Sequence, residues 1–320
     1  MPTRTGSAAG RAARIVIFAL LALGTLSAGR CHGVGGEEQN LNAFEWSGPL
    51  QAPGVVHLRN TNGPIEVTPS DDDRVHVVAD VRWRRGDPAK DLRFPVVTEG
   101  SSLTVCVLWT SGTCSASRYT MRSDFWSKLF GRRGTDANVK LTVRVPARVG
   151  VNALTVNGAV RIAATAPVKA RTTNGSIEVG TAVGPVDAVT VNGDVDVRMT
   201  TLGGDGPVRA VTVNGTSSAF LPETFDGDVK LGTLNGRVGS DFAISVVGEG
   251  ARANHLNGTV GAGGRVVEVT NVNGSAWLRK LNADGTVAGT IAVTGAGAAT
   301  TAPAKAPQAR PSAAKKSARP

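Results

Sequence analysis

Residues 189–197 read VTVNGDVDV, and the same phrase returns as TTNGSIEV from Thr172 and VTVNGTSSA from Val211. In each copy an apolar/polar alternation rich in β-branched residues runs into an Asn-Gly pair, and a second alternating segment leaves it. That two-residue period belongs to a half-buried strand. Glycine takes positive φ freely and asparagine tolerates it better than other residues, so the pair supplies a turn. Each copy therefore reads as strand, turn, strand.

The pairs Asn157-Gly158, Asn174-Gly175, Asn192-Gly193, Asn214-Gly215, Asn235-Gly236, Asn257-Gly258 and Asn273-Gly274 follow one another at intervals of 17, 18, 22, 21, 22 and 16 residues. An eighth, Asn62-Gly63 in NTNGPIEV, stands alone upstream. All eight are read as repeat turns. A fixed short period marks an array of stacked units. One unit cannot bury its own apolar face, so neighbours must share a continuous core of Val, Ile and Leu. Spacing leaves open whether each pair closes a tight hairpin or turns a corner between faces. The period favours corners in a coil rising about 4.8 Å per turn. The expected fold class is all-β: a single-stranded β-helix or solenoid of Asn-Gly repeats over 149–297, entered through an irregular β cap at 49–148. Only 4% of the 320 residues are aromatic and 40 are glycine, which suits a narrow aliphatic core.

Within the entry region, VVHLRN (55–60), RVHVVADVRW (74–83), SLTVCVLW (102–109) and VKLTVRV (139–145) read as strands. Residues 117–134, SRYTMRSDFWSKLFGRRG, interrupt them as an inserted loop with a short helix expected around Phe125 to Phe130. The tryptophan-bearing entry half should cover one end of the stack, and NVNGSAWLRKL (271–281) the other, because a bare coil end is a sticky edge. TSSAFLPETF (216–225) carries a weak second strand.

The chain opens like a secretory signal. Arg4, Arg11 and Arg14 precede the apolar run IVIFALLALGTL and the small residues Ser27-Ala28-Gly29. Residues 1–29 are read as the signal, with an uncleaved inner-membrane anchor as the alternative, and 30–48 as a linker. Residues 298–320 form a basic tail without core-building residues. Together the two ends account for most of the net charge of +10. Nucleic-acid binders concentrate basic charge on a folded domain, so a nucleic-acid partner is not expected. The tail could instead touch anionic surfaces. The expected location is the periplasm or cell surface. There, Cys106 and Cys114, eight apart across a Ser111-Gly112 bend, are expected to pair as a disulfide, with two buried thiols as the alternative. Cys31 is left over.

Little chemistry is in view. His57 and His76 lie on different strands and lack a third ligand. Asp194 and Asp196, or Asp226 and Asp228, fit no calcium loop. Glu66, Glu178 and Glu268 occupy similar points of their repeats, as outward residues of a strand do. No phosphate loop, nucleophile elbow or zinc-helix motif is present. No cofactor or metal is expected.

LPETFDGDVKLGTLNGRVGSDFAI (221–244) and LNGTVGAGGRVVEVTNVNGSAWL (256–278) resemble the bacterial putative-adhesin family of exported β-repeat domains. The likeness includes Ser240-Asp241-Phe242, Gly261, Gly263 and Gly264, and extends upstream through TVCVLW (104–109), Cys114 and VRVPARVGVNALTVNGAV (143–160). It covers roughly 50–295. It implies an exported or membrane-associated stacked β-fold with no catalytic residues to carry over. Residues 117–134 and 216–225 depart from its pattern. The function expected is that of a non-enzymatic envelope protein presenting a surface for adhesion or scaffolding. Cell-wall or surface polysaccharide, or other envelope proteins, are the candidate partners. The alternatives are a carbohydrate-active β-helix enzyme and a membrane-tethered sensor or scaffold.

Overall fold

The computed structural model describes residues 39–109, 112–121, 136–164, 166–181, 183–204, 206–282 and 285–287. The expected signal, Cys31, the helix expected near 125–130 and the basic tail lie outside the described residues. Within them the chain is almost wholly strand, with one short helix at Pro88–Asp91.

Two large sheets carry the fold. The first holds ten strands in the order Gln39–Pro49, Arg74–Arg85, Asp136–Val145, Ile65–Pro69, Val160–Ala164, Ile177–Thr181, Val195–Arg198, Ser217–Pro222, Ala276–Leu281 and Val238–Ser240. The second holds eleven: Ser245–Arg252, His255–Val260, Gly227–Asn235, Arg265–Asn273, Val208–Asn214, Val186–Val189, Val168–Arg171, Gly150–Leu154, Val55–Arg59, Ser102–Cys106 and Val96–Glu99. Through the repeats the chain alternates between them. A strand in the second sheet leads to Asn-Gly, and the strand that follows belongs to the first sheet. Each strand pairs in parallel with its counterpart in the adjacent unit. Asn-Gly is thus a corner between sheets, not the tip of a hairpin.

The core lies between the facing sheets in columns set by register. Val56, Val151, Val168, Val186, Val208, Val267 and Val229 succeed one another across the second sheet. Ile65, Val160, Ile177 and Val195 do the same in the first. All are essentially inaccessible to water. Each unit therefore covers its neighbour's aliphatic residues, worth about 1.5–3 kcal/mol per fully buried side chain.

Five features differ from the sequence expectations. The supposed linker contains Gln39–Pro49, paired antiparallel with Arg74–Arg85. The entry region continues both sheets: Asp136–Val145 runs parallel to Ile65–Pro69, and Ser102–Cys106 parallel to Val55–Arg59. The loop expected from 117 begins with a strand, Tyr119–Met121, paired with Gly112–Cys114. Residues 217–222 form a firm strand. Its sequence looked weak because residues 217–221 are buried on both faces, which erases the alternation.

The fifth difference concerns order. Arg265–Asn273 lies between Val208–Asn214 and Gly227–Asn235, and Ala276–Leu281 lies between Ser217–Pro222 and Val238–Ser240. The segment expected to close the stack sits inside it. His255–Val260 turns back antiparallel to Gly227–Asn235, so the returning chain enters the open parallel slot on that strand's other side.

Candidate functional site

The corners align into one hydrogen-bonded ladder. The Asn157 side-chain amide donates to the Asn62 side-chain oxygen, Asn174 to Asn157, Asn192 to Asn174, Asn214 to Asn192 and Asn273 to Asn214, each at 2.8 Å. Asn235 closes the series, donating to Asn273 at 2.9 Å. Alongside, each glycine N–H reaches the asparagine carbonyl of the next rung: Gly158 to Asn174 at 2.9 Å, Gly175 to Asn192 at 2.8 Å, Gly193 to Asn214 at 2.9 Å.

Glycine is required here by contact, and at Gly175, Gly193 and Gly215 by positive φ as well. Cβ atoms at Gly158, Gly175, Gly193 and Gly215 would fall 2.1, 2.1, 2.4 and 2.3 Å from the glycine carbonyl oxygen of the preceding rung. Those oxygens face a buried hydroxyl. Thr172 donates to the Gly158 carbonyl at 2.9 Å, Thr190 to Gly175 at 2.9 Å, Thr212 to Gly193 at 2.8 Å and Thr233 to Gly274 at 3.0 Å. Asn60 and Asn271 replace threonine in two rungs, donating to Gly63 and Gly215. The unit of repetition is therefore Thr/Asn-x-Asn-Gly.

Asn257-Gly258 is the pair outside the ladder. It lies within His255–Val260, opposite Lys230 and Val229. A Cβ at Gly258 would lie 2.5 Å from both Ile244 Cγ2 and the Ser245 carbonyl oxygen. Its glycine is needed for strand packing. His255 stands where the ladder rungs have Thr or Asn, and that substitution is the signal that marks it apart in the sequence.

Three kinds of surface surround the ladder. The residues between Thr/Asn and Asn form an exposed row that includes Val156, Val191, Val272 and Leu234, the last 69% exposed. The outer face of the second sheet carries Lys169, Asp187, Arg209, Glu268 and Lys230 in register. Asp187 bonds both Arg171 and Arg209, and Arg209 also approaches Glu268 at 3.5 Å. The outer face of the first sheet carries Glu66, Arg161, Glu178 and Asp196. Arg161 sits between Glu66 at 3.8 Å and Glu178 at 3.7 Å. Burial raises the Asp196 carboxyl above its ordinary value, against a Ser218 hydrogen bond and the nearby Arg198 charge. Farther along, the Arg198 guanidinium covers the Phe220 ring at 4.0 Å. Beyond it, Arg279 pairs with the buried Asp241 at 2.7 Å.

Cys106 and Cys114 are joined in a disulfide, with Cα atoms 6.2 Å apart. It ties the Gly112–Cys114 and Tyr119–Met121 hairpin to the second sheet. The Tyr119 hydroxyl donates to the Val107 carbonyl at 2.8 Å and lies 2.9 Å from the Thr61 hydroxyl. Arg59, buried beneath, donates to the carbonyls of Asn152 and Ala116 at 2.9 and 3.1 Å. Burial first, then the Arg59 charge, lowers the His57 pKa below 6.5.

The structure does not bring His57 and His76 together. His57 belongs to the second sheet, and His76 belongs to the first, where it contacts Asp72 at 2.9 Å. Among the described residues no three His, Cys, Asp or Glu side chains converge as a metal site would require. A recess of about 340 Å³ is lined by Arg82, Trp83, Arg84, Asp136 and Asn138.

No family model and no curated protein matches the chain. Distant likenesses exist among solved structures. A putative cell adhesion protein from Clostridium sporogenes matches with 11% identity and TM-score 0.39, over 74% of this chain and 99% of that one. A putative adhesin from Bacteroides fragilis matches with 11% identity and TM-score 0.33, over 78% and 100%. A putative lipid binding protein from Parabacteroides distasonis gives 9% and 0.18, over 75% and 97%. At these scores the likenesses carry no argument about this chain, and its function rests on its own residues.

Proposed function

We propose that the chain is a non-enzymatic, exported β-solenoid whose repeated surface serves adhesion or scaffolding in the cell envelope. The observation that carries this reading is the ladder, which repeats one surface motif at strand spacing along a shared core. The alternation of parallel strands between two sheets supports treating each Asn-Gly unit as one coil. Exposed Val156, Val191, Leu234 and Val272 beside the asparagine amides offer the same pair of contacts on four rungs, with Thr61 and Thr173 in the aliphatic place on two others. That suits a partner which itself repeats, such as a wall or surface polysaccharide. The disulfide fits an oxidising compartment and so supports export. Among the described residues no helix is long and apolar enough to cross a membrane.

The test is binding of the purified protein to cell-wall fractions, extracellular polysaccharide and whole cells. Leu234→Lys and Val191→Lys, placed on the exposed row, should weaken binding several-fold while leaving the fold intact. Failure to bind any of these, with attachment and envelope integrity unchanged on deletion, contradicts the reading.

One observation favours the carbohydrate-active alternative. Glu178 and Asp196 are register partners on neighbouring parallel strands of an outer face, where carboxyl groups come close enough for glycoside chemistry. Against it, Glu178 pairs with Arg161 and Asp196 with Arg198, the latter at 4.0 Å. Hydrolysis of a polysaccharide that Asp196→Asn abolishes would establish the enzyme; no hydrolysis across polysaccharide classes removes it.

A further inference from the structure

The same Asn-Gly pairs that build the ladder are chemically vulnerable, and the ladder does not protect them equally. In deamidation the backbone nitrogen of the following residue attacks the asparagine Cγ. A glycine there offers no side chain to obstruct the approach. The new N–Cγ bond closes a succinimide ring, the Cγ–Nδ2 bond breaks, and ammonia leaves with the proton taken from the attacking amide. Water then opens the ring at either carbonyl, leaving aspartate or isoaspartate. The net change is addition of water and loss of ammonia.

An inner rung opposes the reaction twice. Its glycine N–H is bonded to the asparagine carbonyl of the next rung, as Gly193 is to Asn214 at 2.9 Å. Its side-chain amide is held at both ends, as Asn192 is by Asn174 and Asn214. Attack requires both restraints to break. Asn62, at one end of the ladder, keeps the first, because the Gly63 N–H donates to the Asn157 carbonyl at 2.7 Å. Asn257 lies within a paired strand.

Asn235 differs. It is the last rung, so its side-chain amide donates to Asn273 while its side-chain oxygen accepts from no described residue. The Gly236 N–H likewise donates to none of the described residues. Gly236 is also the one exposed glycine among the ladder's seven, the other six being buried or half-buried. We propose that Asn235-Gly236 is the modification site of this fold: the pair that deamidates first, while the ladder shields its other rungs and strand pairing shields Asn257. The product carboxylate cannot donate to Asn273, and isoaspartate adds a methylene to the backbone. Either outcome loosens this end of the stack.

The experiment is peptide mapping by mass spectrometry of the full chain, aged at mildly alkaline pH, native and in parallel in denaturant. In the native protein the one-unit mass gain should appear at Asn235 roughly tenfold faster than at Asn157, Asn174, Asn192 or Asn214, since two hydrogen bonds need not be broken there. In denaturant the eight pairs should react at similar rates. Asn235→Gln should remove the early gain without moving it to another rung. A native map in which inner rungs or Asn257 react as fast as Asn235 overturns the proposal. So does a native Asn235 that stays unmodified while the denatured chain reacts, or a preference for Asn235 that persists in denaturant.

Discussion

At Gly193 the backbone φ is +141°, and a Cβ would lie 2.4 Å from the Gly175 carbonyl oxygen. Both faults fall on one substitution, so Gly193→Ala should destabilise the fold by about 2–4 kcal/mol, read from the urea midpoint. Asn192→Ala removes one donor and one acceptor from an exposed rung and should cost about 1–2 kcal/mol in the same assay. Asp72 makes a separate, titratable case. Hydrogen bonding to His76, then to Ser70, holds its carboxyl at about 2, below the ordinary 3.8. The native state thus favours the charged carboxylate. Its contribution is present above 3.8 and is lost as pH falls through about 2. An NMR titration of Asp72 should find a midpoint near 2 that moves back toward 3.8 in His76→Ala; an unchanged midpoint would show that His76 is not the cause.

Single elements depend on whether their buried polar atoms are satisfied. The Thr190 hydroxyl meets the Gly175 carbonyl inside the corner. Thr190→Val keeps the shape but leaves that oxygen unpaired, at a cost of about 1–3 kcal/mol. The Cys106–Cys114 bridge closes a short loop, and the double Cys→Ser variant should lose about 2–3 kcal/mol by the chain-entropy account. Proteolysis should then begin in the 112–121 hairpin. A variant as stable and as protease-resistant as the parent would show that Tyr119 and Arg59 hold the hairpin without the bridge. At this scale the sequence was legible wherever one strand face met water, because alternation then reveals the strand. It was misleading at 217–222, where residues 217–221 are buried on both faces. It was also misleading at Asn257, where an Asn-Gly pair alone looks like a corner. The missing Thr or Asn two residues earlier was readable, but its meaning depends on a carbonyl that only stacking brings there.

For the whole molecule, all-β character and a shared aliphatic core followed from period and composition, but the order of units did not. Local sequence specifies a corner without saying which corner lies next to it. The non-sequential slot of Arg265–Asn273 arises from the antiparallel return of His255–Val260, a long-range pairing with no local signature. The placement of candidate surfaces follows from that order, including the terminal position of Asn235. It can be tested by oxidative cross-linking of paired cysteines on the exposed row, in a Cys31→Ser background that keeps the native disulfide. Val213 and Val272 are on adjacent rungs, as are Val272 and Leu234, whereas Val213 and Leu234 are separated by the rung between them. A disulfide needs Cα atoms within about 7 Å. The structure predicts rapid bridging of Val213→Cys with Val272→Cys and of Val272→Cys with Leu234→Cys, and none of Val213→Cys with Leu234→Cys. Bridging of the last pair, with none of the first, would mean that the units stack in chain order and would contradict the account.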